Sequence, residues 1–192
     1  MDDHLIFPNA RPSRADALKN RELLLRTAQR LFAENGVEAV SMSAVAEGAG
    51  VGKGTLYRHF PNKGQLIQVL LDEDQRALQD RTLTHLRGQS DPLDSLIWFL
   101  HEAMAFIERH EEILLGSEQV GDALAHPAHL WWHRTIRGLI RQINPALDAE
   151  YTADILYLML DIRTIHFQRQ VKGYDSQRIR DGLTATALKL TS

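Results

Sequence analysis

Residues 36–64 read GVEAVSMSAVAEGAGVGKGTLYRHFPNKG, and local rules resolve this stretch into two short helices joined by a glycine turn. Ser41 is placed as an N-cap: its hydroxyl can accept from an otherwise orphan backbone N–H of the next turn, after which Val45, Ala46 and Ala49 give a small apolar face. The run Ala49-Gly50-Val51 breaks that helix, because glycine adopts the positive φ of a helix C-terminus without steric cost and Val51 can tuck under the turn.

The spacing predicts a second helix over roughly Lys53 to Phe60. Leu56 and Phe60, one turn apart, face inward and leave Lys53, Thr55, Arg58 and His59 on or near the outer face, with Tyr57 at its edge. Pro61-Asn62 ends this helix and starts another, Asn62 as cap and Lys63 in the first turn. A short helix whose free face is basic and aromatic suits contact with nucleic acid, since cations neutralise phosphates.

The series Leu24-Leu25-Arg26-Thr27-Ala28-Gln29-Arg30-Leu31-Phe32, Gly36, Val45-Ala46, Ala49-Gly50-Val51, Lys53-Gly54-Thr55-Leu56-Tyr57-Arg58-His59-Phe60, Asn62-Lys63 and Leu66 resembles, in order and spacing, the N-terminal domain of the TetR family of bacterial repressors. The resemblance covers about the first third of the chain. Two positions depart from it. Gly52 stands where the family usually has Ser or another small polar residue, and Gly64 stands where an acidic residue is common. The resemblance implies an all-α chain: a three-helix helix-turn-helix head over residues 1–65, with an N-terminal arm, and a larger helical body over residues 66–192 for effector binding and dimerisation.

Composition agrees with that expectation. The chain has 192 residues, 44% of them hydrophobic, enough to bury a sizeable core, and no cysteine, which excludes disulfides and thiolate metal sites and suits a reducing cytoplasm. Its first residues lack the basic and apolar parts of a secretory signal and no run approaches membrane-spanning length, so a cytoplasmic protein with no membrane partner is expected. The net charge of −3 is unevenly placed: residues 1–65 carry nine Lys/Arg against seven Asp/Glu, leaving the body acidic. Arg11, Arg14, Lys19 and Arg21 lie on the arm and first helix, and Lys53, Arg58, His59 and Lys63 on the reading head, where they can neutralise phosphates. An acidic body lowers indiscriminate sticking to DNA.

Helical periodicity runs through the remainder. Leu24, Ala28, Leu31 and Phe32 line the first helix, and Gly36 caps it. A fourth, from about Lys63 to Leu86, is long enough to run from head into body. A fifth ends near His110, another runs from His126-Pro127 to Asn144-Pro145, one capped by Asp148 continues to Lys172-Gly173, and Asp175 or Ser176 opens the last. Between Ile155 and Val171 apolar residues occupy nearly every side, as for a helix buried on two sides. The last helix carries Ile179, Leu183, Ala187 and Leu190 on one stripe, with Gly182 and Ala185 nearby. The family resemblance implies that these two helices pair with their copies in a symmetric homodimer, for which Leu158, Ile162, Ile165, Ile179, Leu183 and Ala187 are the expected interface residues; a plain core role is the alternative.

For DNA contact the candidates are Ser41, Lys53, Gly54, Thr55, Tyr57, Arg58, His59 and Lys63. Lys53, Tyr57, His59 and Lys63 are expected mainly at phosphates and Thr55 and Arg58 at base edges. Arg11 and Arg14 suit a minor-groove arm or an unstructured tail. Trp98, His101, Phe106, Trp132, His133 and Tyr157 combine flat apolar walls with a few polar groups, and the resemblance raises them from core to effector-pocket candidates. His126, His129 and His133 invite a metal, yet no carboxylate or cysteine ligand is evidently paired with them and no His-Glu-x-x-His occurs, so neither metal nor cofactor is expected.

The expected protein is a sequence-specific regulator of transcription, a repressor released from a palindromic double-stranded operator by a small molecule. A DNA-binding protein without an effector, architectural or partner-controlled, is the alternative. No nucleophile elbow, metal motif or phosphate loop supports an enzyme, and no catalytic residue is assigned.

Overall fold

A computed structural model describes residues 14–88, 91–116 and 127–192, and among these residues the chain is entirely helical outside its turns. In chain order the helices are α1 Arg14–Asn35, α2 Met42–Gly48, α3 Lys53–His59, α4 Lys63–Arg87, α5 Pro92–Arg109, α6 Glu111–Gly116, α7 Pro127–Ile143, α8 Ala149–Leu158, α9 Ile162–Gln170 and α10 Ser176–Thr191. Packing divides the chain into two compact units that meet at Leu70 and Leu71, so α4 contributes to both.

In the first unit α1 packs on α2 and α3, and α2 on α3. Leu24, Ala28 and Phe32 of α1 meet Val45 and Ala46 of α2, Leu56 of α3 and the neighbouring Phe60 in a sealed interior. Burial of that set is what fixes such short helices, since seven residues are too few to hold a helix in water unaided. Their ends follow side-chain chemistry. Ser41 Oγ accepts from the Ala44 amide at 3.1 Å. Beyond α2, Gly50 takes φ +64°, its amide bonds the Glu47 carbonyl and that of Val51 bonds Ala46, a pairing that turns the chain sharply and uses up the last free carbonyls. Gly36, at φ +80°, stops α1 similarly. α3 starts at Gly52 without a side-chain cap, whereas Asn62 Oδ1 accepts from Gln65 N at 2.8 Å and caps α4.

The second unit holds α5 to α10 and the later turns of α4. α5 is its centre: Asp91 caps it, Pro92 begins it, and Leu96, Phe99, Leu100, Ala103 and Met104 are wholly enclosed. α7 lies against α5 and α8, and α10 against α5, α8 and α9. Ile136 and Ile140 of α7, Leu156 of α8 and Ile179, Leu183 and Ala187 of α10 complete one contiguous core.

One sequence expectation is corrected here. The helix expected from Asp148 to Lys172 is two helices. α8 ends at Leu158, and Asp161 caps α9, its carboxylate accepting from Arg163 N at 2.9 Å and Thr164 N at 3.1 Å. A short polar side chain that offers its own backbone a hydrogen bond favours a helix start over a helix interior. The apolar pattern around Ile155–Val171 therefore belongs to two helices, each with its own inward face.

The expected interface residues differ in how far the single chain exposes them. Ile165, Ile179, Leu183 and Ala187 are 1%, 7%, 2% and 0% exposed in the single chain, so their surface is already spent on their own core. Ile162 is partly covered by that core as well. Of the six, Leu158 alone stands well out, at 56%. Outward apolar surface on α9, α10 and the turn after α9 is supplied instead by Phe167, Val171 and Leu188.

Candidate DNA-binding surface and the interior of the helical body

Leu56 and Phe60, 0% and 1% exposed, root α3 in the head. The register then presents Lys53, Gly54, Tyr57 and Arg58 to solvent, with Thr55 and His59 half-buried between them. No acidic residue occurs on α3, and Arg58 and His59 occupy its last turn. The Arg58 guanidinium donates to Thr55 Oγ1 at 3.2 Å. The environment of His59 lowers its pKa, first by partial burial and then through the Arg58 and Arg21 cations, which favours the neutral ring with one N–H to donate.

Lys63 and Ser41 are the sequence candidates that the structure ties most closely to the head itself. The Lys63 ammonium lies 3.4 Å from the Glu38 carbonyl and 6.0 Å from the centre of the Phe32 ring, anchoring the start of α4 to the turn after α1. Ser41 spends its hydroxyl on its own helix. Arg21 lies over the Phe60 ring at 5.8 Å. Arg11 is outside the described residues, as is His126.

Inside the body, the six pocket candidates separate into several places. Trp132 is 5% exposed and its indole N–H donates to Gln75 Oε1 at 3.0 Å. Phe106 packs edge-on to Trp132 at 5.5 Å and against the His110 ring at 4.7 Å. Trp98 stacks flat on His85 at 4.1 Å. His101 reaches Thr184 Oγ1 at 2.8 Å, His133 reaches Asp154 at 2.8 Å, and Tyr157 hydrogen-bonds His129. A recess of about 660 Å³ does occur in this unit, bounded by Met159, Gln168, Tyr174, Arg178, Leu183 and Thr186 among others, and none of the six lines it. The six are distributed over α5, α7 and α8, each held by its own stacking or hydrogen-bond partner.

Sequence reasoning missed a buried polar group nearby. Gln75 is 7% exposed; its carbonyl serves Trp132, while its amide nitrogen is buried without a hydrogen-bond partner. One residue before it, Asp74 accepts from His110 at 2.8 Å, and that ring is 3% exposed. Burial lowers the His110 pKa against the opposing pull of Asp74. A signal was present in the sequence: Gln75, Leu78 and Thr82 share one face of α4 at spacings of three and four, and all three are buried. Among the described residues no cluster of His, Cys, Asp or Glu is arranged to hold a metal ion, and no helix is long and apolar enough to cross a membrane.

Residues 24–70 match the family model described as bacterial regulatory proteins, tetR family. An HTH-type transcriptional regulator of Staphylococcus aureus (strain USA300) is 39% identical over 82 residues, which span 43% of this chain and 42% of the relative. The match thus extends over less than half the length of that relative. Two solved structures share the fold of nearly the whole chain. A protein from Saccharomonospora viridis in complex with choline superposes with a TM-score of 0.72 at 21% identity, over 88% of this chain and 95% of that one. A TetR/AcrR-family transcriptional regulator from Thermobifida fusca does so with a TM-score of 0.70 at 16% identity, over 88% and 97%.

Proposed function

We propose that this chain, whose N-terminal domain is that of the tetR family of bacterial regulatory proteins, is a homodimeric transcriptional repressor that a small molecule releases from a palindromic operator. The observation that carries the reading is the outward face of α3, which is basic, aromatic and free of acids on a helix rooted by Leu56 and Phe60. Lys53, Tyr57, His59 and Lys63 serve the phosphates and fix register; Thr55 and Arg58, with Gly54 between the cations, meet base edges. A dimer brings two such helices to successive major grooves, about 34 Å apart, and so demands a two-fold symmetric site. Enzyme chemistry has no support in the names of the matched relatives, which are regulators.

The effector reading rests on the body. The choline bound by the Saccharomonospora viridis protein supports a ligand in this fold. In this chain the place favoured is around Gln75, Phe106 and Trp132, where a buried amide N–H lacks an acceptor. A mostly apolar molecule with one hydrogen-bond acceptor would satisfy it. Because Gln75 is on α4, the helix that belongs to both units, a ligand that re-sets this group acts on the element leading to the head. It shifts the equilibrium only by its differential affinity for the two states.

The test is footprinting of the full chain on genomic fragments. Protection of a palindrome in two segments one helical turn apart supports the reading. Uniform coating without a preferred site would instead mark an architectural binder.

A further inference from the structure

We infer that Thr55 and Arg58 form one reading unit, in which Thr55 positions Arg58 for a guanine and itself meets the methyl of an adjacent thymine. The inference rests on the DNA-binding reading of α3 and deepens it. Arg58 is exposed, one turn after Gly54 and three residues after Thr55. Its guanidinium donates one N–H to Thr55 Oγ1 at 3.2 Å. That bond restrains a long side chain before any DNA arrives, and it leaves the outer edge of the planar fork with the paired donors that match guanine O6 and N7. No carboxylate on α3 competes for the fork.

Gly54 supplies the second element of the geometry. A Cβ built on it would meet nothing within 4 Å, so the helix surface beneath Arg58 is bare backbone that admits close approach of a base edge. Thr55 Oγ1 accepts from Arg58 and keeps its own O–H to donate, while the γ-methyl is the apolar group the residue can bring to a base. A methyl beside a guanine-reading fork selects thymine, the base that carries a methyl in the major groove.

The test begins with a duplex recovered by the full-length chain from a randomised library, expected to hold a guanine next to a thymine in each half-site. Replacing that guanine by 7-deazaguanine removes the N7 acceptor, one of the two bonds of the contact, and is expected to weaken binding by part of the roughly 5- to 150-fold that a whole bidentate contact is worth. Arg58→Ala should be blind to this change. Thr55→Val keeps the methyl and loses the oxygen, so it should blunt the guanine discrimination, and Thr55→Ser should restore it. Replacing thymine by deoxyuridine removes one methyl and is expected to cost about threefold; Thr55→Ser should be blind to that loss and Thr55→Val should feel it. Each variant is first compared with the unaltered chain by circular dichroism and thermal midpoint, where unchanged values show an intact head. Full guanine discrimination in Thr55→Val, or a recovered site indifferent to both base analogues, overturns the inference while leaving a sequence-specific regulator in place. Failure to recover any preferred duplex overturns both readings.

Discussion

At the scale of single residues, the polar groups buried in the body carry the sharpest expectations. The Trp132 to Gln75 bond is buried, and removing one partner strands the other at about 1–3 kcal/mol. Trp132→Phe and Gln75→Leu are each expected to destabilise by roughly that much, and the double variant by clearly less than the sum. Urea unfolding of all four proteins measures the coupling, and simple additivity would show that the bond contributes nothing. His110 gives a pH dependence whose sign follows from burial. Its pKa is lowered in the folded chain, against the contrary influence of Asp74 and in line with that of Arg109. As pH falls below the unfolded value of about 6.5, the unfolded chain takes up a proton that the folded one resists, so stability declines from neutral toward acid. His59 and His101 are shifted the same way. Unfolding at pH 7.5 and 5.5 should show a larger loss for the wild type than for His110→Asn; equal losses would acquit His110.

Among whole elements, helix caps separate what could be read in the sequence from what could not. Ser41 and Asn62 cap α2 and α4 where local spacing places them, and Asp175, one of the two residues offered for the start of α10, caps that helix, because each precedes an apolar repeat and follows a glycine or proline break. Asp161 escaped that reading. It lies inside a run of Ile, Leu and Met that keeps helical period on both sides, and only the competition between its carboxylate and the helix interior reveals the break. α6 was missed because six residues give too little periodicity to register. Which side chains of α3 face outward was legible in the sequence, since one short helix with two buried anchors leaves little freedom in register. The polar interior of the body was less so: a Gln on α4 meets a Trp on α7 through tertiary packing, which no local pattern encodes. Asp161→Ala is expected to cost about 1 kcal/mol, as for other lost caps, and to lower the thermal midpoint without changing affinity for random DNA. An unchanged midpoint would argue that α8 and α9 are joined as one helix.

For the whole molecule, the burial of α10 changes which substitution tests assembly. Leu183→Glu would place a charge in the core of the single chain, where Leu183 is 2% exposed; its expected outcome is loss of folding, with a cost of several kcal/mol for an unpaired buried charge. Such a result would say nothing about partners. Leu158 and Val171 are 56% and 68% exposed, and with Phe167 and Leu188 they are among the large apolar side chains that α8 to α10 and the turn after α9 leave uncovered. If the proposed two-fold pairing uses these helices, Leu158→Glu and Val171→Glu put like charges on both sides of an isologous contact, where each is met by itself or a near neighbour. The combined variant should keep its circular dichroism, sediment as a monomer, and retain weak binding to a half-site while losing tight binding to the full palindrome. Affinity on a palindrome is then the informative quantity, since two linked heads gain from effective concentration what one head cannot. A folded variant that still sediments as a dimer would place the two-fold contact away from the outward faces of α8 to α10, with the reading heads brought together by some other surface of the body.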